Sequence, residues 1–146
     1  EMIGLLQRVK SASVTVDGQV IGSAGQGLLV LVCAEKGDTQ EQSEKLAKKV
    51  LAYRIFEDEN GKMNKSLSDI GGDILIVSQF TLAAETSKGL RPSFTPAADP
   101  ETGKKLYEHF VSKVKESGLR TETGEFGAYM QVALVNDGPV TIWLKC

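Results

Sequence analysis

Apolar and polar residues alternate along this chain with two different periods, and each change of period marks an element. Ile3 to Val9 is a short apolar-rich run, and in Ala12 to Ile21 the valines Val14 and Val16 alternate with Ser13 and Thr15 before Asp17-Gly18. Alternation with a period of two is the pattern of a half-buried strand, and an Asp-Gly pair supplies the positive φ that a two-residue hairpin turn needs. Gly27 to Ala34 (GLLVLVCA) is short, apolar throughout and opened by glycine, which predicts a strand covered on both faces. From Asp38 to Leu51 the period lengthens: Leu46, Ala47, Val50 and Leu51 recur at three and four, while Glu41, Glu44, Lys45, Lys48 and Lys49 fill the other face. This spacing predicts a helix capped by Asp38 or Thr39, with its acids early and its lysines late, as the helix dipole favours.

Asp58 to Gly72 is polar and glycine-bearing and reads as loop and turn, whereas Ile74 to Leu82 (ILIVSQFTL) reads as a second buried strand that turns polar at its end. Ala83 to Ala98 holds Gly89, Pro92 and Pro96 with no steady period. It reads as a loop of a length that is unusual unless it is functional. Asp99-Pro100-Glu101 supplies a cap, a rigid first residue and an early acid, and Leu106, Phe110, Val111 and Val114 continue as an apolar stripe until Gly118. Met130 to Val135 and Val140 to Lys145 read as two strands around a turn at Asn136-Asp137-Gly138-Pro139. The order lacks the regular strand-helix alternation of a parallel doubly wound sheet. The expected fold is a mixed α/β single domain, with a largely antiparallel, barrel-like sheet and two outer helices.

A length of 146 residues fits one domain, read here as residues 2–146, with Glu1 ahead of Met2 taken as a processing scar. With 41% hydrophobic and 25% charged residues, a globular core is available. Seventeen Lys plus Arg against nineteen Asp plus Glu give a net charge of −2, so only a local basic face could serve a nucleic acid. Cys33 and Cys146 have neither CxxC spacing nor a partner framework, which points to a reducing, cytoplasmic setting. No apolar run approaches the roughly 20 residues of a membrane-spanning helix, and no signal or transit peptide opens the chain.

The chemistry is narrowed by what is scarce. His109 is the single histidine, too few for a Ser-His-Asp triad or a two-histidine metal site, and it reads as a helix-edge residue. Cys33, inside the most hydrophobic strand, reads as an inert thiol. The glycines of Gly22 to Gly27 precede a strand, whereas a dinucleotide fingerprint follows one, so neither cofactor nor metal is expected. Catalysis would have to come from hydroxyls, backbone N–H groups or the substrate itself. Two segments could supply it. Ser78-Gln79-Phe80-Thr81-Leu82 ends a buried strand, where free amides could face a ligand or the strand could simply reach solvent. Asn136 to Thr141 contains Gly-Pro, which suits a tight turn and permits a cis bond without requiring one.

Taken together, these segments carry a resemblance. LLQRVKSASVTVDG, YRIFEDENGKMN, LIVSQFTLAA, GLRPSF, TGEFGAYMQV and NDGPVT occur in the order found in the D-aminoacyl-tRNA deacylase (D-tyrosyl-tRNA deacylase) family, whose two signatures are SQFTL and NxGPVT. The match runs almost from end to end. It implies the fold of that family and a homodimer that hydrolyses the ester joining a D-amino acid, or glycine, to the 3′ end of tRNA. In this reading Ser78, Gln79, Phe80 and Thr81 line the pocket for the terminal adenosine, and the Phe80 N–H polarises the ester carbonyl. Gly138-Pro139 would be the family's cis dipeptide, inserted into the partner subunit's pocket to reject L-amino acids, with Arg8, Phe126 and Met130 bracing or bordering it.

An aminoacyl ester is labile and has a ribose 2′-OH beside it, so precise binding and an oxyanion donor can suffice without a base. Thr81 is accordingly assigned to positioning. Lys88 and Arg91, in the loop after SQFTL, are the preferred tRNA contacts; Lys62, Lys65, Lys104, Lys105, Lys113 and Lys115 are further candidates or ordinary solvated charge. Cys33 stands where the family commonly has glycine. The competing readings are the related deacylase of L-alanyl-tRNA, a catalytically silent dimer that binds RNA or protein, and an esterase of small molecules.

Overall fold

The computed structural model describes residues 1–146. Its strands are β1 (Ile3–Val16), β2 (Gln19–Ala24), β3 (Gly27–Cys33), β4 (Phe56–Glu57), β5 (Met63–Lys65), β6 (Asp73–Ser78), β7 (Thr121–Thr123) and β8 (Gln131–Lys145). Its helices are α1 (Gln40–Ala52), α2 (Leu67–Ile70) and α3 (Pro100–Lys115), with a 3-10 turn at Phe80–Ala83. The main sheet runs β2-β1-β3-β6-β7, and β8 lies along β1. Pairs of β1 with β2, β3 and β8 are antiparallel, whereas β3-β6 and β6-β7 are parallel. The sheet is therefore mixed.

It curls until β7 approaches β2. The Ser23 amide donates to the Glu122 carboxylate at 2.8 Å, and Arg120 reaches Asp73 at 2.8 Å and Ser23 at 3.2 Å. Gly22 permits this closure: a Cβ there would lie 2.6 Å from the Thr123 carbonyl oxygen. The result is a nearly closed barrel with a core on each side of its wall. Leu6, Leu28, Val30, Ile74 and Ile76 pack outward against Leu46 and Val50 of α1 and Leu106, Phe110 and Val114 of α3. Val9, Val14, Leu29, Leu75 and Val77 fill the inside. Apolar cover on both faces explains why β3 shows no alternation. The helices are joined by the Ser43 hydroxyl, which donates to the Leu106 carbonyl at 2.6 Å.

Several boundaries differ from the sequence reading. The runs Ile3 to Val9 and Ala12 to Val16 form one strand, and the expected turn follows it at Asp17 and Gly18, both with positive φ. Asp58 to Gly72 is not all loop, because it contains β5 and the one-turn helix α2, which Ser66 and Asp69 cap reciprocally. There are thus three helices rather than two. The buried strand stops at Ser78, where the chain winds into the 3-10 turn. β7, only three residues long and half-buried, gave no pattern to read. Met130 to Val135 and Val140 to Lys145 belong to one strand and not to a hairpin, since β1 is long enough to pair with both halves. No helix is long and apolar enough to cross a membrane.

Candidate functional site

The parallel pairing of β6 with β3 sets the first part of the site. The Gln79 amide still bonds the Val32 carbonyl at 2.8 Å, after which the chain leaves the sheet and makes the Phe80–Ala83 turn. The amides of Phe80 and Thr81 open this turn, so neither has an acceptor within it. Beside the turn lies a cleft of about 560 Å³ whose wall includes Ser78, Gln79, Phe80, Phe126, Tyr129 and Met130. Phe80 is 59% exposed, and its ring meets that of Phe94 edge-on with centroids 5.1 Å apart. Thr81 is exposed and is not part of the wall; the Gln79 amide nitrogen donates to its hydroxyl.

The far wall is supported from α3. Tyr107 donates to the Ile76 carbonyl at 3.0 Å, and its ring packs on Phe126 with centroids 5.7 Å apart. Gly103 of α3 faces the same ring, at a distance where a Cβ would make ordinary contact, 3.7 Å from Phe126. Gly124 makes room for Met130, whose sulfur would be only 2.7 Å from a Cβ at that position.

The titratable groups of this wall sit far from neutrality. Burial pushes the Tyr107 hydroxyl up to about 12 and the Cys33 thiol up to about 11. Asp99 is held below the usual carboxylate range by its bonds to the Thr102 amide and side chain, as the cap of α3. Cys33, which also donates to the Phe80 carbonyl at 3.5 Å, is a cleft-wall thiol that stays protonated. His109 lies elsewhere, 3.0 Å from Glu44 on α1. The cleft therefore offers backbone amides, a serine hydroxyl and a glutamine amide rather than a general base.

Gly138 and Pro139 stand apart from this cleft. Between the pairs Gln7–Thr141 and Val9–Asn136, the single residue Arg8 faces the stretch Asp137 to Val140, which bulges out of β8. Gly138 and Pro139 are exposed on the bulge and joined by a cis peptide bond. Arg8 is 8% exposed and braces the bulge from below, donating from Nε to the Asp137 carbonyl at 2.8 Å and from Nη1 to the Ile55 carbonyl at 2.9 Å. A second clamp was not singled out from the sequence. Asn136 accepts from the Val140 amide at 2.8 Å and donates to the Val140 carbonyl at 3.2 Å and the Thr141 hydroxyl at 3.0 Å.

Lys88 and Arg91 lie on the exposed loop beyond the 3-10 turn. Lys65 pairs with Glu59, Lys105 with Glu101, and Lys113 with Glu44 and Glu116, as solvated surface charges do. Tyr129, 87% exposed at the cleft, and Phe94 also escaped the sequence reading, because neither belongs to a periodic stripe.

The family model described as D-Tyr-tRNA(Tyr) deacylase matches residues 5–145. The D-aminoacyl-tRNA deacylase of Cupriavidus necator is 57% identical over 99% of this chain and 97% of its own length. That of Aeromonas hydrophila subsp. hydrophila is 58% identical over 99% of each. A solved structure described as "c-Myc DNA Unwinding Element Binding Protein" is 42% identical, with a TM-score of 0.93 over 99% of this chain and 98% of that one. Another, described as "Structural Analysis of a probable eukaryotic D-amino acid tRNA deacylase", is 20% identical with a TM-score of 0.88 over 99% of each, a likeness of fold. With the family model spanning residues 5–145 and full-length relatives at 57–58% identity, the chain belongs to the D-aminoacyl-tRNA deacylase family.

Proposed function

We propose that this protein hydrolyses the ester bond of D-aminoacyl-tRNA, and of glycyl-tRNA, and spares L-aminoacyl-tRNA. The observation that carries the reading is the start of the 3-10 turn at the cleft: Phe80 stands where β6 ends, in a wall whose one carboxylate, Asp99, is engaged as the cap of α3. In this reading the terminal adenosine occupies the cleft and the Phe80 amide donates to the ester carbonyl oxygen as negative charge develops on it. Water adds to the carbonyl carbon, the bond to the ribose 3′ oxygen breaks, and that oxygen leaves as a hydroxyl with the proton relayed through the neighbouring 2′-OH. The amino acid departs as its carboxylate. Gln79 and Thr81 position the ribose end, and Thr81 is not a nucleophile.

Chirality is read by Gly138-Pro139 of a second copy. Exposed on a bulge that Arg8 and Asn136 hold from two sides, this dipeptide is suited to enter a neighbouring cleft, bind the substrate amino group and clash with a side chain of L configuration. The reading assigns the dimer interface to β8, where Val135 and Trp143 are exposed.

The test is multiple-turnover deacylation of D-Tyr-tRNA and Gly-tRNA against their spontaneous hydrolysis, with p-nitrophenyl acetate as a control ester. Acceleration of both tRNA esters with the control unaffected supports the proposal. Acceleration of the control alone would favour a small-molecule esterase, and acceleration of none a silent binding dimer.

A further inference from the structure

Between the Phe80 turn and α3 the chain makes an excursion, residues 85–95, in which every residue is exposed. It is nevertheless braced. Glu85 and Ser93 exchange both backbone hydrogen bonds, at 2.7 and 3.0 Å, and the Ser87 amide donates to the Glu85 carboxylate at 2.8 Å. The Ser93 and Thr95 hydroxyls are bonded at 2.9 Å, and Gly89, at φ 66°, turns the tip. At its base Phe94 holds the ring of Phe80, so the excursion is a finger fixed to the mouth of the cleft.

The tip presents Lys88, Leu90 and Arg91. Neither cation enters an ion pair, a state they share with other lysines such as Lys48, Lys49 and Lys104; what sets them apart is the apolar side chain held between them. Leu90 between them is fully exposed. In a chain of net charge −2, two free cations flanking a bare apolar side chain complement a strand that offers phosphates and unstacked base faces together. The one carboxylate of the finger, Glu85, is at the base and engaged by Ser87.

We propose that this finger is a second RNA contact, distinct from the terminal-adenosine cleft, which grips the single-stranded acceptor end just upstream of the last nucleotide. Lys88 and Arg91 take phosphates and Leu90 packs on a base face. The inference rests on the reading that the cleft receives an aminoacylated 3′ terminus.

The test compares kcat/KM on D-tyrosyl-tRNA with that on D-tyrosyl-adenosine, which carries the same ester without the upstream nucleotides. Leu90→Ser is expected to lose about tenfold on the tRNA ester, in line with the worth of one base contact, and less than about twofold on the adenosine ester. Lys88→Ala/Arg91→Ala should also flatten the salt dependence on tRNA by roughly the slope of two phosphate contacts. Equal losses on both esters would overturn the proposal, since the finger would then act by shaping the cleft through Phe94. No loss on tRNA would overturn it as well, leaving the cations to an acidic protein partner. Wild-type protein inert toward both esters would overturn the parent reading and this one with it.

Discussion

The Asn136 side chain makes two hydrogen bonds with the Val140 backbone and one with the Thr141 hydroxyl, and Arg8 makes one with the Asp137 carbonyl, so the backbone is held just before and just after Gly138-Pro139. Removing the Asn136 clamp should loosen the dipeptide without touching the cleft. Asn136→Ala is therefore expected to raise cleavage of L-Tyr-tRNA while changing the rate on D-Tyr-tRNA by less than about threefold, and to lower stability by roughly 1–3 kcal/mol. Parallel rate assays and denaturant melts check both; a stability loss with unchanged D/L selectivity would reduce Asn136 to a structural role. Thr81 tests the chemistry from the other side. With no base beside it, Thr81→Ala should retain activity within about tenfold, and a loss of several orders of magnitude with substrate binding intact would make it the nucleophile after all. At this scale the sequence was informative about identity and less so about arrangement. SQFTL and NDGPVT announced themselves as strings, but the bonds by which Asn136 and Arg8 reach the bulge depend on a register that no local pattern encodes.

Among the elements, long periodic segments were legible and short ones were not. α1 and α3 bury their expected stripes, Leu46, Ala47 and Val50 in one and Leu106, Phe110, Val111 and Val114 in the other. α2 and β7 are too short to show a period and exist because their neighbours hold them, Ser66 and Asp69 for the helix and the parallel edge of β6 for the strand. β8 was split in two on the strength of Gly-Pro, a pair that marks a turn in most settings and here marks a bulge because β1 offers a partner along its whole length. The cap of α3 gives a test tied to pH. Bonds to Thr102 hold the Asp99 carboxyl below its usual range, so its contribution is present above the unfolded value, about 3.9, and is lost as pH falls through the lower folded value. Asp99→Ala should lower Tm at pH 7, and the gap to wild type should close under acid conditions; a gap that persists at pH 2 would mean that the cap acts by packing rather than by charge.

For the whole molecule, the arrangement of surface bears on the proposal that one chain is half of a site. Gly138 and Pro139 are exposed outside the cleft that they are proposed to guard, and the strand carrying them shows Val135 and Trp143 to solvent. In the proposed assembly, pairing through this strand would supply each cleft with a dipeptide from the other copy. Wild-type protein should sediment as a species of twice 15.7 kDa, and Trp143→Arg should shift it toward the single chain with loss of D/L selectivity. Retained selectivity in a proven monomer would place the chiral element within one chain. Neither the barrel closure by Arg120, Asp73 and Ser23 nor this exposure of β8 could be read from composition, because both depend on which distant residues the curl of the sheet brings together.

The protein is proposed to cleave by geometry and to select by exclusion. The most direct measurement is the rate of deacylation of D-Tyr-tRNA and L-Tyr-tRNA, prepared on the same tRNA and assayed side by side at catalytic enzyme concentration. Chiral gating by exclusion predicts rapid loss of the D-ester while the L-ester decays at its spontaneous rate. Comparable acceleration of both would contradict it, leaving a deacylase without a chiral gate.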